Sequence, residues 1–160
     1  MTLANKNIGG SKMMKKYMRI VSFAAIMAVL TACGGSVKLA DGSYEGTSSV
    51  YTNPDGSDAG NGYGVVKLTV KDNAITECSF TTYEPDGKEK DAEYGKKQGS
   101  VANRDFYNKA QKAVKACDEY AKLLVQSGNP DDIDAISGAT INHDQFVEAA
   151  KIALDSAKAK

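Results

Sequence analysis

Within seven positions, Asp134-Ala135-Ile136-Ser137-Gly138-Ala139-Thr140 gathers a carboxylate, two hydroxyls and residues with almost no side chain. Gly138 and Ala139 let a bulky planar or phosphorylated group approach the backbone closely, which leaves the Thr140 hydroxyl accessible. Just downstream, Asn142 and Gln145 stand at the N-cap and N3 spacing of an amide-type capping box, with Ile141 and Phe146 at the positions of a hydrophobic staple. The spacing therefore predicts a helix beginning at Asn142. Thr140 would then lie beside unpaired N–H groups and the positive dipole end, a setting that accommodates a phosphate ester. From spacing alone, the stretch also reads as an ordinary passage from loop to helix.

Little else in the chain proposes chemistry of its own. His143 is the single histidine. To act as a general base it would need a nucleophile and an orienting partner, and neither is evident, so it reads as a surface histidine. Cys78 and Cys117 fall on faces assigned to the core and read as buried thiols; a disulfide between them stays open. With one histidine and no Cys/His cluster, a metal site is unsupported, and no catalytic residue is assigned.

The elements that must position Thr140 are legible from patterning. Residues 44–51 alternate as a strand, and 52–62 form a turn-rich loop. Val66, Leu68 and Val70 alternate with Lys67, Thr69 and Lys71, and Asp72-Asn73 reads as a hairpin turn. A return strand over 75–83 puts Cys78, Phe80 and Thr82 on one face. The charged run 88–97 reads as a solvated loop or a short edge hairpin. From Asn103 a long helix carries Phe106, Ala110, Ala113, Val114, Cys117, Ala121 and Leu124 on one face, and Ser127-Gly128-Asn129-Pro130 stops it. A second helix, about 143–157, buries Phe146, Ala150, Ala153 and Leu154. Two helices on one side of a small antiparallel sheet make an α+β domain.

The first residues read as export machinery. Lys15, Lys16 and Arg19 form a positive n-region, 20–30 an apolar h-region, and Leu30-Thr31-Ala32-Cys33 a lipobox. The apolar run is too short for a comfortable membrane span. Cys33 is the expected lipidated N-terminus after removal of a signal peptide over 1–32. Gly9-Gly10 can be encoded by a ribosome-binding run before Met13 or Met14, so residues 1–12 read as a mis-assigned start. Loss of 1–32 leaves 15 basic against 20 acidic residues, a net charge of −5, which disfavours nucleic-acid binding. Residues 33–40 read as a lipidated tether, of which 34–40 would reach roughly 25 Å fully extended. Residues 41–160 then form one domain.

Asp134-x-x-Ser137-Gly138-Ala139-Thr140 resembles the flavinylation motif of the FMN-binding domain family, which includes flavin subunits of sodium-pumping quinone reductases and small lipoproteins of extracellular electron transfer. Asp41-Gly42-Ser43-Tyr44-Glu45-Gly46-Thr47 resembles the family's opening strand, and Gly62-Tyr63-Gly64-Val65-Val66-Lys67-Leu68-Thr69-Val70 its second strand. Where the pump subunits carry a Pro-Gly-Leu-Gly type loop, this chain has the charged run 88–97, so it resembles the small lipoprotein branch. The resemblance implies that a Mg-dependent flavin transferase cleaves FAD and leaves FMN on Thr140 as a phosphoester. Ser137 and the local N–H groups would orient the phosphate, and Asp134 would hold the loop or assist the transferase. Tyr44, Tyr63, Tyr83 and Tyr94 are candidates to stack on the ring. The implied protein is an extracytoplasmic, lipid-anchored electron carrier supplied by a membrane oxidoreductase or quinol. The alternatives are a lipoprotein of this fold without flavin, serving as a ligand-binding or interaction module, and a flavin-dependent reductase.

Overall fold

Antiparallel pairing in the order β1-β2-β3 builds a three-stranded meander from β1 (Gly42–Thr47), β2 (Tyr63–Lys71) and β3 (Ala74–Tyr83). The computed structural model describes residues 37–56 and 60–159. The expected signal segment and Cys33 lie outside them.

β2 follows its period-two pattern, burying Val66, Leu68 and Val70 while Lys67 and Lys71 face solvent. Asp72 and Asn73 turn the chain with φ of 52° and 63°, the left-handed pair that a tight two-residue hairpin requires. Val70 pairs with Ile75 but Thr69 with Glu77, so Thr76 is the extra residue of a bulge. The bulge resets the alternation and lets Ile75 share the inner face with Cys78, Phe80 and Thr82. β1 ends at Thr47, short of the expected 51; beyond it Ser48 and Tyr51 still bond to the Gly64 and Gly62 carbonyls.

Both helices cover one face of the sheet, α1 (Arg104–Ser127) over β3 and α2 (Thr140–Ser156) over β1 and β2. Asn103 caps α1 by accepting the Phe106 N–H at 3.0 Å, and Gly128 ends it in the left-handed conformation with its N–H on the Leu124 carbonyl. α2 approaches β1 very closely. A Cβ added to Gly46 would lie 2.0 Å from the Ala149 carbonyl oxygen, so only glycine permits the contact.

The core centres on Phe80, Tyr120 and Phe146. Phe146 stacks on Tyr120 with centroids 5.2 Å apart and meets Phe80 edge-on at 5.2 Å. Truncating such a buried aromatic costs about 3–5 kcal/mol. Tyr120 is fully buried although the expected helix face omits it, whereas Phe106, expected in the core, is 52% exposed. The buried stripe of α1 runs through Ala110, Ala116, Cys117, Tyr120, Ala121 and Leu124. Phe106 precedes that stripe and turns its ring toward Tyr94, 6.5 Å away. On α2, Ala149 joins Phe146, Ala150 and Ala153 in the core, and Leu154 is only half-buried.

The two ends of the described chain are joined. Leu39 pairs with Lys158, with the Ala40 N–H on the Ala157 carbonyl and the Ala159 N–H on the Lys38 carbonyl, each 2.8 Å. Lys38, Leu39 and Ala40, read from sequence as tether, therefore belong to the folded unit.

Candidate functional site

After a 3₁₀ turn at Pro130–Asp132, the chain reaches the 134–140 motif and enters α2 two residues earlier than the spacing predicts. Thr140 is the first helical residue and Ala139 the N-cap. Asn142 and Gln145 do not cap the helix because both side chains are drawn into tertiary bonds. Asn142, buried, donates to the Ala113 carbonyl on α1 at 2.9 Å and approaches the Cys117 sulfur at 3.4 Å. Gln145, 2% exposed, donates to the Gly62 carbonyl at 2.7 Å and the Asn61 carbonyl at 3.2 Å, while its buried Oε1 has no partner. No side chain caps α2, so its first N–H groups stay open beside Thr140.

The motif loop is held from below. The Ala139 N–H returns to the Ile136 carbonyl at 2.9 Å, closing a turn over Ser137 and Gly138. Gly138 takes φ of 82°, as the third residue of a type II turn must. The Tyr120 hydroxyl accepts the Ile136 N–H at 2.8 Å and donates to the Ala139 carbonyl at 3.2 Å. Burial raises the Tyr120 pKa, partly offset by the Ile136 N–H, so the phenol stays a neutral donor. His143 is half-buried rather than a surface residue. Its Nε2–H donates to the Ile133 carbonyl at 2.7 Å and steadies the segment leading into the motif.

Beside this loop a cleft of about 370 Å³ opens, lined by Gly138, Ala139 and Thr140 together with residues of both helices and of the 82–94 region. Phe106, Ala110, Ala113, Val114 and Ile141 make its walls apolar. Lys90, Tyr94 and Asn61 add a polar patch. Lys90 is 6% exposed despite lying in the charged run; it donates to the Asn61 carbonyl and stands 5.1 Å from the Tyr94 ring centroid. Burial lowers the Lys90 pKa below its usual value, against the opposing pull of Glu84 and the Cys117 thiol. A second cation, Lys112, stands beside the turn: a Cβ on Gly138 would lie 3.5 Å from its Nζ.

Of the residues picked from sequence, Gly138, Ala139 and Thr140 line the cleft, while Asp134 and Ser137 sit exposed on the same loop without lining it. Of the four tyrosines, only Tyr94 lines it. Tyr63 and Tyr83 stack on each other at 5.3 Å, and the Tyr44 hydroxyl donates to the Ala40 carbonyl. Lys90, Phe106 and Asn61 were not anticipated; a lysine inside a run of charges gives no sign of burial. Cys78 and Cys117 are both free thiols, the first half-buried and the second buried. Among the described residues, no cluster of three or more His, Cys, Asp or Glu could hold a metal, and no helix is long and apolar enough to cross a membrane.

No curated protein matches the chain. A crystal structure of the CPE2226 protein from Clostridium perfringens is similar in fold, with a TM-score of 0.54 and 23% identity over 74% of this chain and 88% of that one. Residues 61–155 match the FMN-binding domain. That span runs from Asn61, which lines the cleft, through nearly all of α2, and the chain accordingly belongs to the FMN-binding domain family and is a flavin-binding protein.

Proposed function

We propose that this protein is an exported, membrane-tethered electron carrier whose FMN is joined to Thr140 by a phosphoester. The observation that carries the reading is the position of Thr140: exposed, first in an uncapped helix, and on the rim of an apolar cleft. The residues present fit the group. The open N–H groups of α2 and the Lys112 ammonium suit a phosphate, and the cleft volume and apolar walls suit a planar ring system.

Attachment would proceed with FAD as donor and a flavin transferase as catalyst. The Thr140 hydroxyl oxygen forms a bond to the flavin-side phosphorus, the bridging phosphoanhydride bond breaks, AMP departs, and the hydroxyl proton is released. Ser137 and the backbone N–H groups orient the phosphate. Asp134, exposed on the loop, holds it or is reached by the transferase. Phe106, Tyr94, Ala113 and Val114, which line the cleft, would hold the ring and limit its contact with water. When bound, FMN supplies reversible electron transfer; the protein supplies attachment, position and electrostatics.

The tether follows from the expected lipidation of Cys33. Residues 38–40 are paired with 157–159, which shortens the expected tether by those three residues. The chain enters the domain at the C-terminal end of α2, whereas Thr140 is at its N-terminal end, roughly 24 Å along the axis. A membrane oxidoreductase or quinol would be the electron donor.

In-gel fluorescence tests the attachment. The full chain co-expressed with a flavin transferase should give a flavin band that survives denaturing electrophoresis, absent from Thr140→Ala. A dark wild-type band, with the transferase active on another substrate, would favour a tethered binding module instead.

A further inference from the structure

Lys90 is the one ammonium among the described residues that the fold buries to 6% exposure without giving it a carboxylate partner within ion-pair distance. A buried charge in that position is costly unless something meets it. The Asn61 carbonyl accepts one of its hydrogen bonds, and the Tyr94 ring face lies 5.1 Å away. A lysine has three donors, and Lys90 lines the cleft. The groups that face it are Tyr94 on its own segment, Glu84 just after β3, and Cys117 on α1. Glu84 is too far to form an ion pair, and burial keeps the Cys117 thiol protonated. No charge from the neighbouring elements neutralises the ammonium at short range.

Two chemically different groups of residues meet at the cleft. At the motif, Thr140, the open N–H groups and Lys112 beside Gly138 gather for a phosphate. In the other group, Lys90, Asn61 and Tyr94 converge beside apolar walls. We propose that Lys90 meets the electron-rich pyrimidine edge of the flavin ring held from Thr140, and that its positive charge makes the bound flavin easier to reduce. This rests on the flavin reading above. Reduction by two electrons places negative charge on that edge unless a second proton is taken up. An adjacent ammonium stabilises the charge and makes the second proton unnecessary, so the couple consumes two electrons and one proton.

The test uses the full chain loaded with FMN, with loading verified by intact mass before any potential is measured. The midpoint potential is titrated spectroscopically from mildly acidic to neutral pH. The wild type should take up one proton per two electrons. Lys90→Met, loaded to the same mass, should have a lower potential and take up two protons per two electrons, and Lys90→Arg should retain the wild-type behaviour. In the flavin-free protein, Lys90→Met should leave the melting temperature unchanged or raise it, because Met fills similar space without a buried charge; a lysine kept only to pin Asn61 would lower it. An unchanged potential and proton count in Lys90→Met would overturn the proposal. Two protons in the wild type would also overturn it, and that result stands even if the variant does not fold. Failure of the parent reading is separate, since it shows as wild-type protein without FMN mass.

Discussion

The buried hydroxyl of Tyr120 on α1 donates to the carbonyl of Ala139, the N-cap of α2, at 3.2 Å, while accepting the Ile136 N–H at 2.8 Å. One phenol thereby ties both ends of the Ser137-Gly138 turn to the core. Tyr120→Phe keeps the ring and leaves the Ile136 N–H without its acceptor. It should cost about 1–3 kcal/mol in urea denaturation, and it should slow flavin loading by loosening the turn. Loading at the wild-type rate would show that the turn does not need this brace.

Gly46 and Ala149 define how closely α2 lies on β1. A methyl group on Gly46 would sit 2.0 Å from the Ala149 carbonyl, a contact with backbone that no rotamer relieves. Gly46→Ala should destabilise the domain by about 1–3 kcal/mol or more. Calorimetry of the flavin-free protein measures it, and an unchanged melting temperature would mean the helix can shift without cost.

Much of this was readable beforehand, and the failures share a cause. The β2 alternation, the Asp72-Asn73 hairpin and the Gly128 cap of α1 are local features, set by residues within a few positions of one another. Asn142 and Gln145 also had the spacing of a cap, yet each serves a partner distant in sequence, Ala113 and Gly62. Local pattern cannot reveal that competition. The same holds for Tyr120, whose hydroxyl suggests a surface until its loop partners are known, and for Lys90, indistinguishable in sequence from its exposed neighbours. The family was legible through resemblance to the 134–140 motif, because those seven residues are contiguous, and residues 61–155 match its domain.

Phe106 is 52% exposed on the cleft rim, so it contributes little to the core. Phe106→Ala should change stability by no more than about 0.5 kcal/mol. It should nevertheless alter the visible spectrum and raise the fluorescence of the attached flavin, by removing one wall of the ring position. Identical spectra would place the ring elsewhere.

Burial pushes the Cys78 thiol from its usual 9.0 to about 11. The folded pKa is the higher one, so its contribution to stability is fully present below pH 9 and is lost as pH rises toward 11. Solvent screens this half-buried thiol, so the loss is at most about 2 kcal/mol. Cys117, raised by burial from the same starting value, acts in the same direction over the same range, and Tyr94 and Tyr120, also raised by burial, do so at higher pH. Urea denaturation across this range should show the decline, and Cys78→Ala should make the part that begins at pH 9 shallower, leaving the share of Cys117. An equal slope in the variant would assign the alkaline loss to Cys117 and the tyrosines.

The attachment of FMN to Thr140 is tested most directly by peptide mass mapping of the protein co-expressed with its transferase. The peptide spanning 134–140 should carry the mass of FMN less water, with fragmentation placing it on Thr140, and the same peptide from Thr140→Ala should be unmodified. FMN mass on Ser137, or on no residue while the transferase labels a control substrate, would contradict the account.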